Sequence, residues 1–159
     1  MAFVCRAGAT AEIQYSTSNT PHLYILLTNP YGKPRNVIWI NVTTPDRFSD
    51  TRIILTPEDH PYLNHDSVLS YRNCAEVPIT KFPILESEGK LIVQPDISPS
   101  LLNKIQFSIS GSGKVGMGLK LKLDRFAAKE PAVLIPPTPL QQPPKLPAPT
   151  PPPGESEIS

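Results

Sequence analysis

The sequence lacks an excess of charge of either sign. Lys and Arg total 15 and Asp and Glu total 14 among 159 residues, which gives a net charge of +1. A protein that holds nucleic acid chiefly by neutralising phosphates is expected to be more basic than this. Any contact with nucleic acid must therefore depend on a small local patch or on dimerisation.

Cysteine is scarce, and long apolar runs are absent. Cys5 and Cys74 lack CxxC spacing, which favours reduced thiols over a disulfide. No run approaches the roughly 18 apolar residues that a membrane-spanning helix needs, and the N-terminal segment does not have the pattern of a secretory signal. We therefore expect a cytoplasmic protein without a membrane partner.

Proline is the residue present in excess. Of the 21 prolines, 11 follow Glu130. A segment of this composition has too little apolar surface to offset the entropy of ordering, and its prolines favour extended conformations. We predict one domain in residues 1–126, with a core at about 12–123, and a disordered proline-rich tail in residues 127–159. PxxP spacing in the tail, as at Pro144 and Pro147, fits either a spacer or a ligand for an aromatic groove.

Short apolar runs separated by Pro, Gly and Asp predict a mainly β fold. The runs at residues 23–28 and 37–42 flank a Pro/Gly loop, which predicts an antiparallel pair buried on both faces at the centre of the sheet. Such short strands are typical of a small barrel or rolled sheet. Further strands are predicted at residues 51–55, 67–71, 75–80 and 91–93, and the alternation of Leu and Lys predicts an edge strand at residues 119–123.

A single late helix is predicted over residues 99–108. Ser98 is a suitable N-cap, a proline occupies the first helical position, and Gly111 provides an end. Alternation of Ile105 and Phe107 with polar residues also fits a strand, and periodicity alone leaves both open.

All three histidines, His22, His60 and His65, lie in short segments rich in Asp, Ser, Thr and Tyr. Histidine titrates near physiological pH, so this grouping indicates proton transfer. The alternatives are structural: His60 makes a turn hydrogen bond, His65 is a solvated turn residue, and His22 caps a strand.

Metal and serine-hydrolase chemistry are disfavoured by spacing. His60 and His65 are five residues apart with Pro61 between them, so their rings share no helical face. A G-x-S-x-G nucleophile elbow is absent from the sequence. We therefore expect neither a metal nor another cofactor.

Four segments occur in an order that resembles a known family. A strand begins His-Leu-Tyr and ends Leu-Thr-Asn-Pro, and Asn-Val-Ile-Trp-Ile-Asn-Val-Thr-Thr follows it. Next come Asp-His-Pro-Tyr-Leu and Asp-Ser-Val-Leu-Ser-Tyr. Over roughly residues 20–110 this order resembles the PemK/MazF-like toxins of bacterial toxin–antitoxin systems. The resemblance implies a small SH3-like β-barrel, a homodimer, metal-independent cleavage of single-stranded RNA and inhibition by an antitoxin protein.

The resemblance also implies roles for particular residues. Better-known members begin the first of these strands with Arg-Pro, where this chain has Pro21-His22. Cleavage requires a base for the 2′-hydroxyl, an acid for the 5′-oxygen and donors for the phosphate. On this interpretation the catalytic residues are two proton carriers, His22 and His60, and three phosphate contacts, Thr44, Ser67 and Arg72. Because histidine lacks the bidentate fork of arginine, Arg72 is the candidate to supply it.

A second interpretation is a non-catalytic β-barrel interaction module that binds a protein partner and carries a proline-rich arm. The near-neutral charge and the missing family arginine favour this interpretation.

Overall fold

A six-stranded antiparallel sheet forms the centre of the protein. The computed structural model describes residues 2–15 and 20–127, which belong to one compact unit, Met1–Ala128. The strands are β1 (Thr10–Ile13), β2 (His22–Leu26), β3 (Asn36–Thr43), β4 (Ile54–Leu55), β5 (Ser67–Pro78) and β6 (Leu91–Gln94). Their order in the sheet is β4-β5-β3-β2-β1-β6. The sheet curls into a half-barrel, and this confirms the prediction of a mainly β fold.

Strand β3 is buried on both faces, as its continuous hydrophobicity predicts. Ile38 and Ile40 point into a core formed with the second and third helices. Val37 and Trp39 point into a second core, formed with the first helix. Because strands β2 and β3 are neighbours in the middle of the sheet, the predicted central pair is confirmed.

Within the described residues the chain forms three helices: α1 (Lys81–Ser87), α2 (Pro99–Ser110) and α3 (Met117–Ala127). Helix α2 confirms the prediction from capping signals, since Ser98 Oγ accepts a hydrogen bond from Leu101 N at 3.1 Å. Helix α1 is an addition to the predicted elements. It ends where Gly89 adopts a φ of 70° and Lys90 N donates to Leu85 O at 2.9 Å, a Schellman arrangement.

The predicted edge strand at residues 119–123 is wrong, because this segment lies in helix α3. Leu123 and Ala127 are buried and Leu119 packs against the same core, whereas Leu121 is 62% exposed. Burial at intervals of four residues is the helical period. A strict alternation of Leu and Lys also places a leucine at every fourth position, so the sequence fits both a strand and a helix. Packing of these leucines against the first core favours the helix.

The remaining strands differ from prediction mainly in length. The runs predicted at residues 67–71 and 75–80 belong to the single strand β5, and the run at residues 51–55 contributes only β4. Strand β1 is an addition; it pairs with both β2 and β6.

Residues 56–66, here called the clasp loop, connect β4 at one edge of the sheet with β5. Side chains of this loop reach the strands of the opposite edge. His60 Nε2 lies 2.7 Å from Pro95 O and 3.0 Å from Thr10 Oγ1, and Tyr62 Oη donates to Glu12 Oε2 at 2.7 Å. The clasp loop therefore crosses the open side of the half-barrel, and its last residues lie beside the ends of β2 and β3.

No helix in the described part of the chain is long and apolar enough to cross a membrane. The predictions of disorder and of a proline-rich arm fall on the tail, and residues 128–159 lie outside the described residues.

Candidate functional site

A cleft of about 390 Å³ opens where strand β2 begins and strand β3 ends. We call it the histidine cleft. Its walls come from three places: the start of β2, the end of β3 and the junction between the clasp loop and β5. The polar side chains among its lining residues are those of Thr20, His22, Thr43, Thr44, Tyr62, Asn64, His65 and Ser67.

Three of the five residues predicted as catalytic line this cleft: His22, Thr44 and Ser67. Strand β3 lies between β2, which carries His22, and β5, which begins at Ser67. Neighbouring strands are about 4.8 Å apart, so β2 and β5 are separated by about 10 Å.

His65, interpreted from the sequence as a turn residue, also lines the histidine cleft. Its Nδ1 lies 2.8 Å from Asp66 O. Because a carbonyl oxygen only accepts hydrogen bonds, Nδ1 carries the proton and Nε2 of the neutral ring has a lone pair. Ser67 Oγ donates to His65 O at 3.1 Å, which fixes the backbone that carries the imidazole. In this tautomer Nε2 is the ring nitrogen of His65 that can accept a hydrogen bond from a ligand.

His22 faces the cleft with an unrestrained ring. The side chain is half-buried and makes no hydrogen bond with any described residue. Thr44, at the end of β3, is exposed beside it. An imidazole and a hydroxyl that have no hydrogen-bond partner among the described residues are available to a ligand.

His60 lies outside the cleft, so the structure does not bring it together with the other predicted residues. It is only 3% exposed. Nε2 must donate to Pro95 O, and Nδ1 accepts from Tyr62 N at 3.0 Å. Both nitrogens are thus occupied in holding the clasp loop, which is the structural alternative for this residue.

Arg72 is also outside the histidine cleft. It lines a second cleft of about 510 Å³, together with Asp46, Phe48, Asp50 and Lys114. The two clefts share Thr43. Among the described residues neither Lys nor Arg lines the histidine cleft. The guanidinium of Arg72, which was expected to bind the scissile phosphate, lies in the second cleft instead.

Sequence reasoning missed His65 as a functional residue and Tyr62 as a wall of the cleft. The available signal was the position of His65, two residues before the predicted strand that begins at Ser67. Burial, followed by the hydrogen bond to Glu12, raises the pKa of Tyr62 to about 12, so its hydroxyl stays protonated at neutral pH.

The cysteines are free thiols, as predicted. Burial raises the pKa of Cys74 to about 12, and burial with the nearby Glu86 charge raises that of Cys5 to about 11. Neither is a thiolate at neutral pH, which makes both poor nucleophiles. In the described ranges no group of three His, Cys, Asp or Glu side chains is placed to hold a metal ion.

No known protein-family model matches this chain, and no curated protein sequence matches it. The functional conclusion therefore depends on the geometry of the histidine cleft and on the resemblance in the order of its sequence segments.

Proposed function

We propose that this protein is an endoribonuclease that cleaves single-stranded RNA without a metal ion. One observation carries the proposal: His22, at the start of β2, and His65, in the clasp loop just before β5, line the same cleft at the end of β3. Two imidazoles on either side of a phosphate supply the base and the acid that cleavage next to a 2′-hydroxyl needs.

The tautomer of His65 supports one division of roles. His65 Nε2 takes the proton of the 2′-hydroxyl, and the 2′-oxygen attacks phosphorus. The bond from phosphorus to the 5′-oxygen breaks, and protonated His22 donates its proton to that oxygen. The products are a 2′,3′-cyclic phosphate and a free 5′-hydroxyl.

Thr44 and Ser67 have different parts in this reaction. The Thr44 hydroxyl is exposed at the cleft and donates to a phosphate oxygen as negative charge develops there. Ser67 is buried, and its hydroxyl donates to His65 O at 3.1 Å, so it positions the base and does not contact the substrate. The His22 imidazolium supplies the positive charge at the phosphate.

The test is incubation of the purified protein with a mixed single-stranded RNA in EDTA, followed by mapping of the fragment ends. We expect fragments with 2′,3′-cyclic phosphate and 5′-hydroxyl ends. His22→Ala and His65→Ala should each lower the rate by at least about 100-fold, which is the usual contribution of a general acid or base. Unfolding midpoints of both variants must match the wild type, so that loss of activity reports on chemistry.

Undiminished cleavage by the double variant His22→Ala/His65→Ala would contradict the assignment. Cleavage that disappears in EDTA and returns with Mg²⁺ would contradict metal independence while leaving the RNA substrate in place.

The resemblance to the PemK/MazF-like toxins adds a homodimer and an antitoxin protein to the proposal. A toxin expressed alone arrests growth of its host cell. We expect expression of the wild type to arrest growth and expression of His22→Ala to be tolerated. Sedimentation of the purified protein should give the mass of a dimer.

The second candidate is the non-catalytic interaction module. The observation in its favour is strand β6, an edge strand on which Ile92 and Val93 are 55% and 41% exposed. Exposed apolar residues on an unpaired edge are suited to the addition of a partner strand. Intact RNA with the folded wild-type protein, and tolerated expression, would favour this candidate.

A further inference from the structure

Phe48 is exposed at the rim of the second cleft, next to the histidine cleft. The side chain is 73% exposed. Its backbone is nevertheless held: Phe48 N donates to Asp46 Oδ1 at 2.8 Å, and Phe48 O accepts from Lys114 Nζ at 3.3 Å. Arg47 lies over one face of the ring, with its guanidinium carbon 4.8 Å from the ring centre. An aromatic ring presented in this way has a face available for stacking.

The charges of the second cleft leave Arg72 available. Asp46 accepts the hydrogen bonds of its own turn, and Asp50 pairs with Arg52 at 3.3 Å. Arg72 is exposed and forms neither an ion pair nor a hydrogen bond with the described residues. An unpaired guanidinium in a cleft is suited to a phosphate, which it binds in a bidentate manner.

The second cleft adjoins the proposed catalytic cleft. Thr43, next to Thr44 at the end of β3, lines both. A strand of RNA that is bound at His22 and His65 and continues past Thr43 enters the cleft that Phe48 and Arg72 line. Exposed aromatic rings beside cationic groups are the usual platform for single-stranded nucleic acids.

We propose that the second cleft is a binding subsite for the nucleotide adjacent to the scissile bond, with Phe48 stacking on its base and Arg72 holding its phosphate. This inference rests on the proposed RNA substrate. Because the subsite concerns binding, a binding measurement can support or overturn it independently of the cleavage assay.

The test uses a fluorescein-labelled, mixed-sequence 2′-O-methyl oligonucleotide of about 12 nucleotides, within the site sizes of small single-strand-binding modules. It cannot be cleaved, because no 2′-hydroxyl is present. From its anisotropy we expect Phe48→Ala to weaken binding by about 5- to 100-fold without changing the salt dependence. Arg72→Gln should weaken binding and also reduce the slope of log K against log salt by about 0.7, the value for one contact with a single-strand phosphate.

Two matched controls lie outside the second cleft. Phe107 is the other strongly exposed phenylalanine, at 81%, and lies on helix α2. Arg35 is exposed just before the start of β3, at the end of the strand opposite Thr43. Phe107→Ala and Arg35→Gln should bind the oligonucleotide like the wild type.

Each contrary outcome has its own meaning. Wild-type cleavage with unchanged binding by Phe48→Ala overturns the subsite and leaves the ribonuclease proposal intact. Absence of oligonucleotide binding by the folded wild type overturns the subsite outright. A Phe48→Ala variant that changes only the sedimentation coefficient identifies the phenylalanine as a protein contact, which also overturns it.

Discussion

At the scale of single residues, Asn41 is an unusual occupant of the core. It lies in β3, opposite Tyr24 on one side and Ser70 on the other, and is 2% exposed. Its Oδ1 accepts no hydrogen bond from any described residue. A buried acceptor without a donor costs about 1–3 kcal/mol.

We expect Asn41→Val to raise the free energy of unfolding by about 1 kcal/mol, because it removes this cost and introduces a side chain that suits a strand. Urea denaturation measures the change. Asn36→Val, at the half-buried first position of the same strand, serves as the control and should change stability little. A decrease for Asn41→Val would mean that Oδ1 has a donor outside the described residues.

The contacts of His60 indicate a structural role, because both ring nitrogens hold the clasp loop. His60→Ala leaves Tyr62 N without its acceptor, leaves Pro95 O with only the Thr10 hydroxyl as donor, and creates a cavity under the clasp loop. We expect a loss of about 2–4 kcal/mol in unfolding free energy, from the unpaired amide and the cavity together. Unchanged thermal stability with abolished RNA cleavage would return His60 to the catalytic role predicted from the sequence.

At the scale of elements, helix α3 is attached to the sheet by a polar cluster as well as by its apolar face. Glu76, in β5, accepts a hydrogen bond from Tyr31 Oη, and Lys122 Nζ in α3 lies 2.9 Å from Glu76 Oε1. Phe126 of α3 stacks on Tyr31, with ring centres 4.0 Å apart. The carboxylate of Glu76 therefore joins the helix to two neighbouring segments.

This cluster makes the attachment of α3 dependent on pH. The hydrogen bonds from Tyr31 and then Lys122 lower the pKa of Glu76 below its ordinary value of 4.5. A lowered pKa in the folded state stabilises the protein above the unfolded-state pKa, and this contribution is lost as pH falls below about 4.5. We expect the stability of the wild type to fall with acidification in this range. Glu76→Gln should be less stable than the wild type at pH 7 and should lose less stability between pH 5 and pH 3. Unfolding midpoints between pH 3 and pH 7 test this; identical profiles for both proteins would contradict it.

At the scale of the whole molecule, the curled sheet has two short edge strands and a centre covered on both faces. The edges are β4 and β6, whereas β2 and β3 carry the cores of both faces. The clasp loop connects the edges through side chains and does not close the sheet with a backbone ladder. Opening should therefore begin at the edges.

We expect amide hydrogen exchange to be slowest where β2 and β3 hydrogen-bond to each other. Of the six strands, β4 and β6 should exchange fastest, because local opening is easier where burial and contact density are low. His60→Ala should accelerate exchange in β1 and β6 more than in β3, since it releases the clasp loop from their side. Equal protection across all six strands would indicate a closed barrel.

The resemblance, together with the groups that RNA cleavage needs, singled out His22, Thr44 and Ser67, and these residues line one cleft. The same reasoning singled out His60 and Arg72, which lie elsewhere. The difference arises because His60 belongs to the clasp loop and docks against β1 and the end of β6, whereas Arg72 lies in a long strand that extends past the histidine cleft. The spacing of residues along the chain does not encode either placement.

The sequence by itself determined the features that depend on neighbouring residues. The apolar runs specified the central strands, and Ser98 with Gly111 specified both ends of helix α2. Only the tertiary structure decided that residues 119–123 are helical and that His65, not His60, lines the same cleft as His22. The physical reason is that caps, turns and burial periods are local interactions, whereas a site between three strands is set by strand order and loop docking, which bring together residues far apart in the chain.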